Sequence, residues 1–170
     1  MSILTHDALL QEIEKGNIKI DPMVHSSQVR EASIDLKLSN VFRIFKHTDQ
    51  HIPLVENTDY REFTEEVVGN TFLINPSQTI LGSTIEKITL PGNICAWIEG
   101  RSRFARLGLL IHISAGLIQP GVNSNQVLEI TNLGPNILEL HAGERICQLV
   151  FQRTEGNAIY SGKFANQTKP

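Results

Sequence analysis

Three arginines and a serine are crowded into one short run, Arg101-Ser102-Arg103-Phe104-Ala105-Arg106, bracketed by Gly100 and Gly108. Guanidinium forks match phosphate oxygens, so this run is a candidate anion site. A second reactive group lies in Val127-Leu128-Glu129-Ile130. Strand alternation places Glu129 beside Val127 on one face, with Leu128 and Ile130 on the other. A carboxylate among such neighbours must be paired, solvated or functional. Two readings stay open here: a purely structural ion pair between Arg106 and Glu129, or a reactive site that uses both.

Composition limits what that site can serve. The chain has 170 residues, 41% of them hydrophobic, so residues 1–170 read as one globular domain with a sizeable core. No apolar run reaches the length of a membrane span. The start Met1-Ser-Ile-Leu-Thr5 lacks the basic-then-apolar order of a signal peptide. A cytoplasmic protein with no membrane partner is therefore expected. Cys95 and Cys147 lie in apolar runs and read as buried free thiols. The net charge is −3; with no basic excess, no nucleic-acid partner is expected. Positive charge is focused at 101–106, which suits a small anion better than a polymer.

The elements that must position these residues are mostly strands. Ser2 to Gly16 reads as a short helix, with Thr5 as its N-cap and an apolar stripe of Ile3, Leu4, Leu9, Leu10 and Ile13. Ile18–Ile20 is a brief strand. Ala32–Leu38 alternates strictly, with Ile34, Leu36 and Leu38 facing one way and Ser33, Asp35 and Lys37 the other, as in a half-buried strand. Val41–Phe45 continues that pattern, and 46–61 is a polar surface excursion. Further strands are expected at 71–74, 79–83, 85–90, 94–99, 109–114, 126–131, 137–140 and 145–151, with a helical turn or short helix at Phe104–Leu107. Many short strands with turn residues between them predict an all-β barrel or sandwich. The tail from Tyr160 reads either as a frayed end or as a flap over a ligand, with Lys163 on phosphate.

Six segments together resemble the dCTP deaminase family of the dUTPase-like superfamily. They are Ala32-Ser-Ile-Asp-Leu-Lys-Leu38, Glu99-Gly-Arg-Ser-Arg-Phe-Ala-Arg-Leu-Gly-Leu109, Ala115-Gly-Leu-Ile-Gln-Pro-Gly121, Val127-Leu-Glu-Ile130, Gly143-Glu-Arg-Ile-Cys-Gln148 and Lys163-Phe-Ala-Asn-Gln167. The resemblance implies a distorted β-barrel of jelly-roll type with a short N-terminal helix, and a homotrimer with its sites between subunits. It implies hydrolytic deamination of dCTP, with dUTP or dTTP as product or inhibitor. Glu129 would move protons as water attacks C4. Ser102 and Arg106 would support it, and the Ala115 carbonyl would help hold the water. Arg101, Ser102, Arg103, Phe104, Ala105 and Arg106 match the segment that binds phosphate and base. Val127 and Leu128 match the strand that reads the cytosine edge by its backbone. Gln148 is carried over as substrate-binding, and Tyr160, Lys163 and Gln167 match tail residues that cover the triphosphate. Magnesium would ride on the phosphates. No zinc is expected, because the H-x-E and P-C-x-x-C signature of zinc deaminases is absent.

The chain departs from this pattern in places. Gln119 stands where family members usually carry an aspartate that accepts from the sugar 3′-hydroxyl; the amide keeps an acceptor oxygen and loses the charge. Val122-Asn-Ser-Asn125 replaces an aromatic-x-Gly turn, and Arg103 and Phe104 replace smaller or aliphatic residues. Gly116-Leu117 and Gln148 resemble the bifunctional group that continues to dUMP and diphosphate, whereas Gln119 opposes it. A nucleotide-binding protein without catalysis remains the alternative in a different class. His6, His25, His47 and His51 read as surface residues, and His112 as a satisfied core or interface histidine.

Overall fold

The computed structural model describes residues 2–170. Helix α1 (His6–Glu14) is shorter than the sequence predicts at its start. Strand pairing takes the residues before it: Ile3 bridges Gln152, and the Leu4 N–H donates to the Phe151 carbonyl at 2.9 Å. Thr5 is the N-cap residue, but its side chain makes no capping bond. Leu9 anchors the helix in the core. Glu12, also buried, accepts from Arg153 Nη2 at 2.9 Å and from Asn17 Nδ2 at 2.7 Å. Those two bonds, Arg153 first, hold its carboxyl below the usual range despite burial.

Twelve strands follow in three sheets. They are β1 (Lys19–Asp21), β2 (Ile34–Lys37), β3 (Val41–Phe45), β4 (Thr64–Val68), β5 (Thr71–Ile74), β6 (Thr79–Thr89), β7 (Ile94–Gly100), β8 (Leu109–Leu110), β9 (Leu117–Ile118), β10 (Asn123–Asn132), β11 (Leu138–His141) and β12 (Arg145–Arg153). One sheet runs β4-β3-β6-β10-β8 with β1 also on β6; another runs β2-β12-β7-β9; β11 and β5 form a two-stranded ribbon. Pairing is antiparallel throughout. The result is the expected mostly-β distorted barrel with a short N-terminal helix, its sheets not closed into a complete barrel. Leu36, Leu38, Phe42, Ile80, Ile130 and Phe151 belong to the single apolar cluster between the sheets. Removing a side chain the size of Phe151 from such a place costs about 3–5 kcal/mol.

Several elements differ from expectation. The two strands expected at 79–83 and 85–90 are one, β6, interrupted by a bulge. Asn125 pairs with Lys87 while Val127 pairs with Ser83, so Thr84, Ile85 and Glu86 face Gln126 alone. The Thr84 hydroxyl fills the gap by accepting from the Gln126 N–H at 2.9 Å. β4 lies beyond the polar excursion and pairs with β3. The strand expected over 109–114 stops after Leu110, and the helical turn or short helix expected at 104–107 is present two residues earlier as α2 (Ser102–Ala105). Strand β2 alternates as expected with Ile34 and Leu36 inward, but Asp35 on its other face is also buried, under Arg101 and Arg145.

Two glycines fix the loops around the site. Gly108 has φ +92°, and a Cβ there would lie 2.6 Å from the Gly134 Cα, so the loop after α2 presses against the turn after β10. Gly121 has φ +79°, and a Cβ there would lie 2.9 Å from the Ile159 Cα, so only glycine lets the two segments come this close. That contact docks the chain leading to Tyr160, whose N–H donates to the Pro120 carbonyl at 2.9 Å.

Candidate active site

Strand β10 carries the carboxylate. Leu128 and Ile130 are fully buried in the core, and Val127 and Glu129 line a cavity of about 440 Å³ on the opposite face. Alternation in the sequence therefore placed Glu129 correctly. Ile98 of β7, Leu117 and Ile118 of β9 and Val122 supply an apolar wall. Ala115, Gln119, Tyr160 and Gln167 line the same cavity, so six of the residues singled out in the sequence meet here.

The open edge of β10 runs along this cavity. Asn123 and Asn125 point their N–H groups away from β6 and donate to Ala165 and Gln167 carbonyls at 3.1 and 2.9 Å. The Gln126 N–H faces β6 instead. By alternation the Val127 peptide again faces the open edge, where it can pair with a ligand. Leu128 contributes backbone only, since its side chain is in the core.

The tail is neither frayed nor remote. Its backbone pairs with the start of β10, and Phe164 and Gln167 close the cavity from above. Lys163 lies on the adjoining basic cavity of about 450 Å³, with Arg43, Arg61 and Lys169. The Lys163 ammonium sits 5.8 Å above the Phe164 ring.

Of the two places expected for His112, core or interface, the core of one protomer does not satisfy it. Its Nδ1 lies 2.6 Å from Glu129 Oε2. The oxygen is off the ring N–H direction, and neither ring nitrogen has an aligned hydrogen bond. The Ile113 N–H also approaches Glu129 Oε2, at 3.4 Å. The missing strand over 111–114 makes this contact possible, because a loop can turn His112 toward β10 where a ladder could not.

The arginine cluster lies elsewhere. None of Arg101, Ser102, Arg103, Phe104, Ala105 or Arg106 lines the Glu129 cavity. Among the described residues Arg106 and Glu129 form no ion pair, so the structural-pair reading is corrected within one protomer. Arg101 is not a free phosphate fork: Nη1 donates to the Arg145 carbonyl at 2.8 Å and Nη2 lies 3.3 Å from Asp35 Oδ2. This inward anchor fixes the start of α2. Phe104 packs against the core cluster, whereas Ser102, Arg103, Ala105 and Arg106 face outward. Gln148 is also tied up away from the cavity, accepting from Ser33 Oγ at 2.8 Å and donating to the Gly100 carbonyl at 3.2 Å. Sequence reasoning missed His112, Ile98, Phe164 and Tyr60 as site-lining residues. Tyr60 sits in a polar excursion with no periodic signal, and only the tertiary fold brings it in.

The other chemical groups are quiet. Cys95 and Cys147 are buried free thiols, and burial pushes both up in pKa. Among the described residues no three His, Cys, Asp or Glu side chains converge as a metal site. No helix among them is long and apolar enough to cross a membrane.

Comparison with known proteins places this arrangement in a class. The fold is shared with the crystal structure of 2′-deoxycytidine 5′-triphosphate deaminase from Agrobacterium tumefaciens. The TM-score is 0.71 at 20% identity, over 89% of this chain and 48% of that one, so the chain spans about half its length. A family model described as dCTP deaminase-like matches residues 3–154. The chain is 34% identical to a Methanosphaera stadtmanae protein named "dCTP deaminase, dUMP-forming", over 100% of this chain and 92% of that protein. It is 35% identical to a Haloarcula marismortui protein named "dCTP deaminase", over 88% of this chain and 79% of that one. The chain belongs to the dCTP deaminase-like family.

Proposed function

We propose that this protein hydrolyses the exocyclic amine of dCTP, releasing ammonia and leaving dUTP. The observation that carries the reading is Glu129, a carboxylate presented by β10 into an apolar-walled cavity beside an open strand edge. Deamination of cytosine needs water at C4, a proton on N3 and a protonated leaving amine. Glu129 takes a proton from the attacking water, delivers it to N3, and then passes the second water proton to the departing amine. The free Val127 peptide suits the hydrogen-bonding edge of a base, and the Ala115 carbonyl suits the water. Names of relatives support the substrate class, since the proteins described above are called dCTP deaminases.

The trimer belongs to the same reading. A cavity with Glu129 but without Ser102 and Arg106 is half of a site. The outward-facing Ser102 and Arg106 are the half offered to a neighbour. Exposed Leu107, Leu110, Ile113 and Leu133 beside them form an apolar face suited to self-association. Magnesium would be held by the phosphate oxygens and water, since the described residues gather no cluster of ligands of their own. Free, buried thiols fit a reducing cytoplasm. One continuous apolar cluster fits a single domain over 1–170.

A second reading of the product, dUMP and diphosphate, is favoured by Gly116-Leu117 and Gln148 and by the "dUMP-forming" name that the Methanosphaera relative shares with other relatives of 33–34% identity. Against it stands Gln119 at the cavity, an amide that cannot assist water in attacking a phosphate anhydride as a carboxylate can. Incubation with dCTP and magnesium, followed by chromatography of dCTP, dUTP and dUMP, tests both readings. Ammonia and dUTP are expected. No loss of dCTP, with binding intact, would refute deamination in favour of a non-catalytic nucleotide-binding protein.

A further inference from the structure

Tyr60 occupies a position that neither the excursion's sequence nor the resemblance marks. It opens a single 3-10 turn, Tyr60–Phe63, capped by Asp59, whose side chain accepts from the Arg61 N–H at 3.0 Å. The buried Thr64 hydroxyl donates to the Tyr60 carbonyl at 3.0 Å, and the Arg61 guanidinium stands 5.9 Å from the ring centroid. The turn is thus fixed by Asp59 and Thr64, Arg61 flanks the ring, and the chain leads directly into β4 of the main sheet.

From there Tyr60 reaches the tail. Its hydroxyl accepts from Gln167 Nε2 at 3.1 Å. The same tail residue takes the Asn125 N–H on its carbonyl at 2.9 Å. Tyr60 is also one of the few side chains that line both the Glu129 cavity and the basic cavity of Lys163. Lys163 approaches the same turn: its ammonium adds to the Arg61 hydrogen bonds that hold the Asp59 carboxyl below the usual range. So Gln167 bonds to Tyr60, and Lys163 lines the same cavity as Tyr60 and Arg61.

We propose that Tyr60 is a positioning residue that pre-orders the C-terminal segment through Gln167, so that the nucleotide meets a tail already folded across its cavity. The proposal rests on the deaminase reading for its effect on substrate, but the tether itself does not. A segment that is ordered only part of the time weakens apparent affinity by the fraction ordered. One neutral hydrogen bond shifts that fraction by about three- to tenfold.

The test compares wild type, Tyr60→Phe, Gln167→Ala and the double variant. Phenylalanine keeps the ring in the cavity wall and removes only the hydroxyl. Hydrogen exchange read by mass spectrometry, without nucleotide, follows residues 160–170 and the peptide carrying Asn123 and Asn125. Both should exchange about three- to tenfold faster in Tyr60→Phe. The dCTP KM should rise by a similar factor with kcat within about twofold, because the hydroxyl orders the tail and touches no reacting atom. The double variant should be no worse than Gln167→Ala, since both remove the same bond. Gln167→Ala reads that bond from the other end if the 59–63 turn tolerates no change. Unchanged exchange in Tyr60→Phe overturns the proposal, and so does faster exchange with an unchanged KM. A wild-type protein inactive on dCTP would refute the proposed function, and the exchange measurement would then decide the tether alone.

Discussion

Glu129→Gln separates binding from chemistry at the candidate site. The substitution keeps the side-chain length and an oxygen able to accept from the Ile113 N–H, now 3.4 Å away. It keeps Leu128 and Ile130 in the core, so the strand should not move. Affinity for dCTP should therefore stay within about threefold, the scale of one weak hydrogen bond. What the amide loses is the ability to accept and return a proton. His112 also lines the cavity, and its Nδ1 lies 2.6 Å from the carboxylate without an aligned hydrogen bond. With no second carboxylate among the described residues that line the cavity, the general acid–base contribution of about 10²- to 10⁴-fold should be lost almost whole from kcat. At about 1.36 kcal/mol per decade this is roughly 3–5 kcal/mol of barrier. Ammonia release and nucleotide chromatography measure kcat, calorimetry measures dCTP binding, and thermal melting confirms the fold. Turnover within tenfold of wild type in a folded variant would remove Glu129 from the proton path.

Mixing Glu129→Gln with Arg106→Ala should restore activity if the site spans two subunits. Random trimers would hold about a quarter of intact sites, so mixed protein should reach about a quarter of wild-type turnover after re-assembly; no recovery, or an active 19.0 kDa monomer by light scattering, would argue for a site within one chain. Gln119→Asp should hold or lower the KM for dCTP, since a charged acceptor makes a bond about twice as strong as a neutral one. An unchanged KM and product ratio would take Gln119 out of the site. Glu12→Gln should lower the melting temperature by a few degrees at neutral pH, the effect of losing about 1–2 kcal/mol from a charge-assisted pair. Because the folded Glu12 pKa lies below its ordinary 4.5, that stability is complete above about pH 4.5 and fades as the pH falls through the lowered value. The gap between wild type and Glu12→Gln should accordingly shrink on acidification, and an equal gap at pH 7 and pH 3 would show that the Arg153 pair contributes nothing.

How much of this was legible in the sequence depended on how local each determinant is. Alternation in Ala32–Leu38 and in Gln126–Thr131 reports which side chains face the core, so β2 and β10, and with them the orientation of Glu129, could be read directly. The fusion of two expected strands into β6 could not. Ser83-Thr84-Ile85 breaks the two-residue period, and whether it ends a strand or bulges within one depends on the Thr84 hydroxyl finding Gln126, about forty residues away. The short β8 hid His112 for a related reason: an apolar run looks like a strand whether or not a neighbour is there to pair with it. Tyr60 left no periodic trace because its role is a single contact with a tail residue over a hundred positions later.

The arginine run illustrates the opposite error, in which local chemistry is legible but its address is not. Three guanidinium groups in six residues suggest one shared anion, yet the fold divides them. Asp35, buried and carboxylate-bearing, needs a counter-charge, and Arg101 turns inward with Arg145 to supply it. That demand fixes Arg101, the residue just before α2, and a four-residue helix then turns Ser102 and Arg106 outward whatever their chemistry. Outward in a lone protomer means away from Glu129. The same two side chains can serve the carboxylate only by facing the cavity of another copy, so the burial of Asp35, through Arg101, is the physical reason to expect a shared site.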